Sequence, residues 1–140
     1  MCGGVTRDLL TDELRAFLRE NVHSYEELET LLLLYRQREG RWSIDSVAAE
    51  LRLPDTLAAA ALGALQARGW IQSTSAEPEK FWYDAAKVSD ETVASLARAY
   101  TEARFAVVEV MSANALTRLR SSAIRTFAEA FRLRGPKKNG

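Results

Sequence analysis

Cysteine and histidine are almost absent from this chain of 140 residues, which has one of each. Cys2 has no second cysteine to pair with, so an intrachain disulfide is excluded and a reducing cytoplasm is expected. One cysteine and one histidine cannot form a Cys/His zinc site within a chain. A phosphate-binding loop follows a strand, and no strand precedes the glycines of "MCGG". We therefore expect no catalytic residues, no metal, no cofactor and no enzymatic activity.

Long hydrophobic runs are absent as well. The longest leucine run, Leu31 to Leu34, is far shorter than the roughly 20 apolar residues that cross a bilayer. The first ten residues carry Arg7 and Asp8 in place of the apolar segment of a secretory signal. We expect a cytoplasmic protein with no membrane partner, folded as one domain over residues 1–140.

The net charge is zero, but the basic residues concentrate near the C-terminus. Residues 1–117 have 12 basic and 18 acidic side chains, whereas residues 118–140 have seven basic and one acidic. Arg118, Arg125 and Arg132 recur every seven residues and share one helix stripe. This stripe predicts contacts with phosphates or with an acidic partner. The alternative is that these arginines pair with the acidic body while the apolar stripe of the same helix packs on the core. That apolar stripe consists of Leu116, Leu119, Ala123, Ile124, Phe127 and Phe131.

Helix caps and hydrophobic periodicity divide the chain into eight elements. Ser24 (in a capping box with Glu27) and Ser43 offer N-caps, and Leu53-Pro54-Asp55 reads as a turn. The spacing of apolar residues predicts four helices, two strands rich in aromatic and β-branched residues, and two more helices. The predicted ranges are 12–22, 24–38, 44–51, 55–68, 70–74, 80–84, 90–112 and 116–133. "SANAL" (112–116) separates the last two helices, and Gly135-Pro136 ends the last one, which leaves a disordered tail at 135–140.

The segment "SIDSVAAELRLPDTLAAAALGALQARGWIQ" and the hairpin ending "KFWYD" resemble the winged helix-turn-helix domain of MarR-like and PadR-like bacterial regulators. In order, they supply a small helix, a tight turn, a second helix with Leu62, Leu65 and Gly69, and an apolar strand. The resemblance covers residues 24–84 and implies a mostly α fold with a small β-hairpin wing. An N-terminal helix and two C-terminal helices would flank this core. The helices over 89–133 resemble those with which such regulators dimerise, so a homodimer is expected.

In this family the second helix of the motif, here called the reading helix (residues 55–68), enters the DNA major groove. Its outward positions in this chain are Thr56, Leu57, Ala59, Ala60, Gly63 and Ala64. These side chains are too short or too apolar to read base edges. The wing has Glu77 and Glu79 where basic residues would hold phosphates. A face of small residues does allow another protein surface to approach closely. Three occupants of this face remain open: a protein partner, the chain's own C-terminal helix, or DNA.

The hairpin adds an aromatic side chain to this surface, because strand alternation places Trp82 on the opposite face from Phe81 and Tyr83. Our main hypothesis is a small non-enzymatic bacterial regulator that acts through protein–protein contacts, as a dimer or adaptor. Its interface would consist of Leu57, Ala60, Gly63, Ala64 and Trp82. The alternative is a DNA-binding transcriptional regulator whose basic C-terminal helix contacts phosphates through Arg118, Arg125, Arg132 and Arg134. A third hypothesis is a ligand sensor with a pocket near Tyr100, although the sequence identifies no small-molecule effector.

Overall fold

The computed structural model describes residues 9–74, 76–84 and 90–138. In these ranges the chain forms six helices and one antiparallel β-hairpin. In chain order they are α1 (Asp12–Asn21), α2 (Tyr25–Arg36), α3 (Ile44–Leu51), α4 (Asp55–Ala67), β1 (Ile71–Ser73), β2 (Phe81–Tyr83), α5 (Asp90–Glu102) and α6 (Arg104–Lys138). The predicted fold class is confirmed, and α4 is the reading helix.

Hydroxyl side chains cap α2 and α3, as the sequence predicts. The Ser43 hydroxyl accepts a hydrogen bond from the Ser46 N–H (3.0 Å), and the Ser46 hydroxyl accepts one from the Ser43 N–H (2.8 Å). The Ser24 hydroxyl likewise accepts from the Glu27 N–H (3.1 Å). In a complete capping box the Glu27 carboxylate would accept a hydrogen bond from the N–H of Ser24. Here it accepts from the N–H of His23, one residue before the cap.

Replacing Ser43 with alanine is expected to lower the free energy of unfolding by about 1 kcal/mol, because an N–H at the start of α3 loses its acceptor. Urea unfolding followed by circular dichroism measures this change. The control is Ser95→Ala, since Ser95 is exposed within α5 and the substitution should change stability by less than about 0.5 kcal/mol. Equal effects of the two substitutions would contradict the capping role.

The core is built around α2, whose four consecutive leucines at 31–34 are all buried. This helix packs against α3, α4, α5 and β2, so it needs apolar side chains on more than one side. From the reading helix, the core receives Ala58, Ala61, Leu62 and Leu65. Because these four residues face the core, the opposite face of α4 points outward.

The hairpin follows α4 directly and lies close to it. Ile71 pairs with Tyr83, and Trp42 forms an isolated bridge to Phe81 from the segment before α3. Phe81 and Tyr83 are buried and Trp82 is half-buried on the other face, which confirms the predicted alternation. The turn into β1 uses Gly69 at φ 86°, a left-handed conformation that glycine adopts without steric cost.

The C-terminal helices differ from the prediction in their boundaries. The predicted separation at 112–116 is wrong, because α6 is continuous there and the helical run is instead interrupted at Ala103. Two alanines in "SANAL" favour helix strongly, and one serine and one asparagine are too weak to break it. The predicted stop at Gly135-Pro136 also differs, since α6 extends to Lys138 and includes four residues of the expected disordered tail.

Candidate nucleic-acid interface

The outward face of the reading helix is open to solvent. Leu57 is 43% exposed, Ala60 and Gly63 are exposed, and Ala64 is half-buried. A Cβ atom added at Gly63 would meet no other atom within 4 Å. The reading helix packs on α2, α3 and β1, whereas α6 packs on α1 and α5. The chain's own C-terminal helix therefore does not cover this face, and that alternative is wrong.

Two exposed arginines, Arg41 and Arg52, lie in the segments that precede the reading helix in the chain. Arg52 is exposed in the turn between α3 and α4, where it adopts a left-handed conformation with φ 58°. On the hairpin side, the Arg41 guanidinium lies 3.8 Å from the ring centroid of Trp82. A cation over an aromatic face is a favourable contact, so Trp82 is half covered by Arg41 rather than fully presented to a partner. The wing loop also carries Lys80, half-buried, next to the carboxylate residues Glu77 and Glu79.

The first turn of the reading helix leaves backbone donors without side-chain acceptors. Pro54 occupies the N-cap position and provides no side-chain hydrogen bond to this turn. The first N–H groups of a helix have no partner within the helix, and they carry the positive end of its dipole. Thr56 is exposed in this turn and brings the only hydroxyl of the outward face. The N–H groups at this end of α4 favour an anionic group such as a phosphate, whereas the exposed Asp55 carboxylate in the same turn opposes one.

The other end of the reading helix is anchored by a partly buried ion pair that the sequence pattern does not show. Arg68 Nη1 donates to the Glu27 carboxylate and to the Asn21 carbonyl, both at 2.7 Å. The side chains of Arg68 and Glu27 are 24% and 12% exposed. Arg68 Nη2 also lies 3.2 Å from Nδ1 of His23. Arg68 therefore fixes α4 to the start of α2 rather than pointing toward a ligand.

Arg118 and Arg125 of the predicted arginine stripe differ in exposure. Arg118 is half-buried, and its Nη2 donates to the His23 carbonyl at 2.8 Å. This carbonyl is close to Arg68, at the far end of α4 from Arg52. Since α4 has 13 residues, its two ends are about 20 Å apart. Arg125 is exposed, while the side chains of Arg132 and Arg134 lie outside the described residues.

An apolar stripe of α6 is exposed along its length. The large side chains on it that the structure describes are 48% to 70% exposed: Leu116, Leu119, Ile124, Phe127 and Phe131. The rings of Phe127 and Phe131 stack on each other with centroids 6.0 Å apart. The alternative in which this stripe packs on the chain's own core is therefore wrong. Several large apolar side chains exposed along one face of a helix are typical of an interaction site.

Tyr100, near which a ligand pocket is one hypothesis, is buried and hydrogen-bonded to protein groups. Its hydroxyl donates to the Glu29 carboxylate at 2.6 Å and lies 2.9 Å from the Tyr25 hydroxyl. Burial, and then the hydrogen bond to Glu29, raise the pKa of Tyr100 above its usual range. The neutral phenol thus connects α5 to α2 beside the interruption at Ala103.

The described residues provide neither a metal site nor a membrane span. Among the described residues, no cluster of three or more histidine, cysteine, aspartate or glutamate side chains could hold a metal ion. The same part of the chain contains no helix with the length and apolar character needed to cross a membrane.

Comparison with known proteins gives matches only at the level of structure. No protein-family model and no curated protein sequence matches the chain. A structure of MepR from Staphylococcus aureus in complex with DNA is similar with a TM-score of 0.52 and 18% identity, covering 88% of this chain and 95% of MepR. A second MepR structure, described as a transcription regulator of the multidrug efflux pump MepA, gives a TM-score of 0.51 and 12% identity, covering 91% and 93%. The resemblance predicted from the sequence is confirmed for the fold, which is the winged helix-turn-helix fold of MarR-like regulators.

Proposed function

We propose that this chain is a non-enzymatic, DNA-binding transcriptional regulator whose reading helix α4 enters the major groove. The observation that carries the proposal is the open outward face of α4, which no other helix or strand among the described residues covers. The likeness to MepR, whose structure holds DNA, supports this function over one limited to protein contacts. A bacterial transcriptional regulator binds DNA in the cytoplasm, which agrees with the location expected from the sequence.

The small side chains on α4 define how such a helix would read DNA. Ala60 and Gly63 let the helix backbone come close to the base edges, and an alanine methyl group can contact the methyl group of thymine. These contacts discriminate weakly between base pairs. We therefore infer that much of the sequence preference comes from the shape and deformability of the DNA.

We infer that the affinity comes from phosphate contacts of Arg52 and Arg41, together with the N–H groups of the first turn of α4. The Asp55 carboxylate in that turn limits their contribution. Glu77 and Glu79 on the wing repel phosphates, so few contacts are expected per chain. Each neutralised phosphate contributes about −0.9 to the slope of log affinity against log salt concentration, and a shallow slope is therefore expected.

The protein-docking hypothesis concerns the same face, and the sign of an introduced charge separates it from DNA binding. Ala60→Glu places a carboxylate on the exposed face and is expected to weaken binding to a mixed-sequence duplex at least about tenfold, by repulsion of phosphates. Ala60→Arg adds similar bulk with the opposite charge, and it should preserve or tighten that binding. Fluorescence anisotropy at low salt measures both affinities.

Position 60 is exposed, so both variants should keep the wild-type circular dichroism spectrum and change stability by less than about 0.5 kcal/mol. Equal loss of binding in both variants would indicate contacts that bulk alone disrupts and would favour a protein-docking face. Unchanged binding in both would show that α4 is not the DNA contact.

We also propose that the protein acts as a homodimer through the exposed apolar stripe of α6. The stripe is long, carries two stacked phenylalanines, and lies on a helix that extends beyond its contacts with α1 and α5. A second copy presents the same stripe, so two α6 helices can cover each other around a two-fold axis. A dimer would place two reading helices on successive turns of DNA.

A further inference from the structure

We propose that Glu109 and Arg120 of α6 form ion pairs between two copies of the chain and thereby set an antiparallel alignment of the two helices. The pairing rests on the dimer proposed above and specifies how its two α6 helices are arranged. Both side chains are exposed, and they are eleven residues apart. Because three helical turns take about 11 residues, the two side chains lie on the same face of α6.

This face also carries the exposed apolar side chains of α6. Phe105 lies four residues before Glu109, while Leu116 and Phe127 lie four residues before and seven residues after Arg120. Spacings of four and seven residues keep side chains on one side of a helix. Phe105 is 77% exposed, so the exposed apolar surface begins one turn before Glu109. The two charges are therefore set within an apolar surface rather than on the polar side of the helix.

Neither charge is neutralised within the described part of the chain. No salt bridge among the described residues includes Glu109 or Arg120. The residues three and four positions away from them are all uncharged: Phe105, Ala106, Ser112, Ala113, Leu116, Thr117, Ala123 and Ile124. Burying either charge in a dimer without a partner would be costly. A dimer that covers this face is therefore favoured when it brings the two opposite charges together.

An antiparallel pair of α6 helices brings them together around a single two-fold axis. With the axis midway between positions 109 and 120, Glu109 of each copy faces Arg120 of the other, which gives two ion pairs per dimer. A parallel pair would instead place each residue beside its own counterpart, and like charges across an interface oppose association. Isolated polar groups in an apolar helix interface are known to fix register and orientation in this way.

The same alignment provides apolar layers on both sides of the ion pairs. Phe105 of one copy lies level with Ile124 of the other, and Leu116 lies level with the small side chain of Ala113. The two α6 helices overlap over residues 104–125, a length of about 33 Å. The alignment thus gives Phe105, which the chain itself leaves exposed, an apolar neighbour.

Charge reversal tests the pairing by sedimentation equilibrium of the full chain. Glu109→Arg and Arg120→Glu each convert both ion pairs of the homodimer into like-charge pairs, so each should raise the dimer dissociation constant at least about tenfold. An equimolar mixture of the two variants should dimerise with close to wild-type affinity, because each mixed dimer again has two pairs of opposite charge. The variant with both reversals should also dimerise like the wild type.

The matched controls are Glu129→Arg and Arg125→Glu, since both residues are exposed on the side of α6 away from the apolar stripe. These controls should leave the dissociation constant close to the wild-type value, and weakening equal to that of the test variants would overturn the pairing. A dimeric wild type whose affinity is unchanged by reversal at 109 or 120 would overturn the pairing but not the dimer. Failure of both the mixture and the doubly reversed variant to recover affinity would also overturn it. A monomeric wild type would overturn the proposed dimer and the pairing together.

Discussion

Replacing Arg68 with methionine is expected to lower the free energy of unfolding by about 3 kcal/mol, one of the largest effects of any single substitution considered for this chain. The guanidinium donates to the Glu27 carboxylate and the Asn21 carbonyl at 2.7 Å, and Glu27 is only 12% exposed. Without Arg68, the carboxylate keeps the His23 N–H as a donor but remains a largely buried charge without a counter-ion. Such a charge is costly because water no longer solvates it. Urea unfolding with a two-state fit measures the loss.

Two comparisons make the Arg68 prediction specific. Adding Glu27→Gln to Arg68→Met removes the unpaired charge, so the double variant should recover part of the lost stability. Arg98→Met breaks an exposed pair with Glu102 at 3.9 Å, and it should cost less than about 0.5 kcal/mol. If Arg68→Met costs no more than Arg98→Met, the ion pair does not anchor the reading helix.

Local patterns in the sequence predicted the winged-helix core correctly. Ser43 and Ser24 begin their helices, the proline turn precedes α4, and the aromatic segments pair as a hairpin. Each of these features depends on residues within a few positions of one another or on strict alternation along a strand. The small outward face of α4 was also predictable, because its core-facing residues Ala58, Leu62 and Leu65 have clear helical spacing.

Contacts between distant residues could not be predicted in this way. Arg68 meets Glu27 and Asn21 across 41 and 47 residues, and Arg118 meets His23 across 95. The interruption at Ala103 lies in a segment whose sequence favours helix, and it occurs where Tyr100 and Arg104 contact Glu29 of α2. The direction taken by α6 decides whether the reading helix is covered, and helical periodicity does not contain that information.

Phe127→Asp is expected to convert the protein from a dimer into a monomer. Phe127 is 70% exposed in the C-terminal half of the apolar stripe of α6, and its ring stacks on Phe131. In the proposed dimer this ring is buried by the second copy, and a carboxylate at that position would have to be desolvated without a partner. Light scattering coupled to size-exclusion chromatography should show the mass falling from two chains to one of 15.6 kDa.

The same substitution should lower the affinity for a duplex with two half-sites by about 100-fold, because the second reading helix no longer benefits from the high effective concentration that the dimer provides. Ser122→Asp is the matched control, since it places the same charge on the polar side of the same helix and should leave both mass and DNA affinity close to wild type. A wild-type protein that is monomeric at micromolar concentration would contradict the dimer. A Phe127→Asp variant that is monomeric yet binds DNA as tightly as wild type would show that one reading helix is sufficient, and that the apolar stripe serves another purpose.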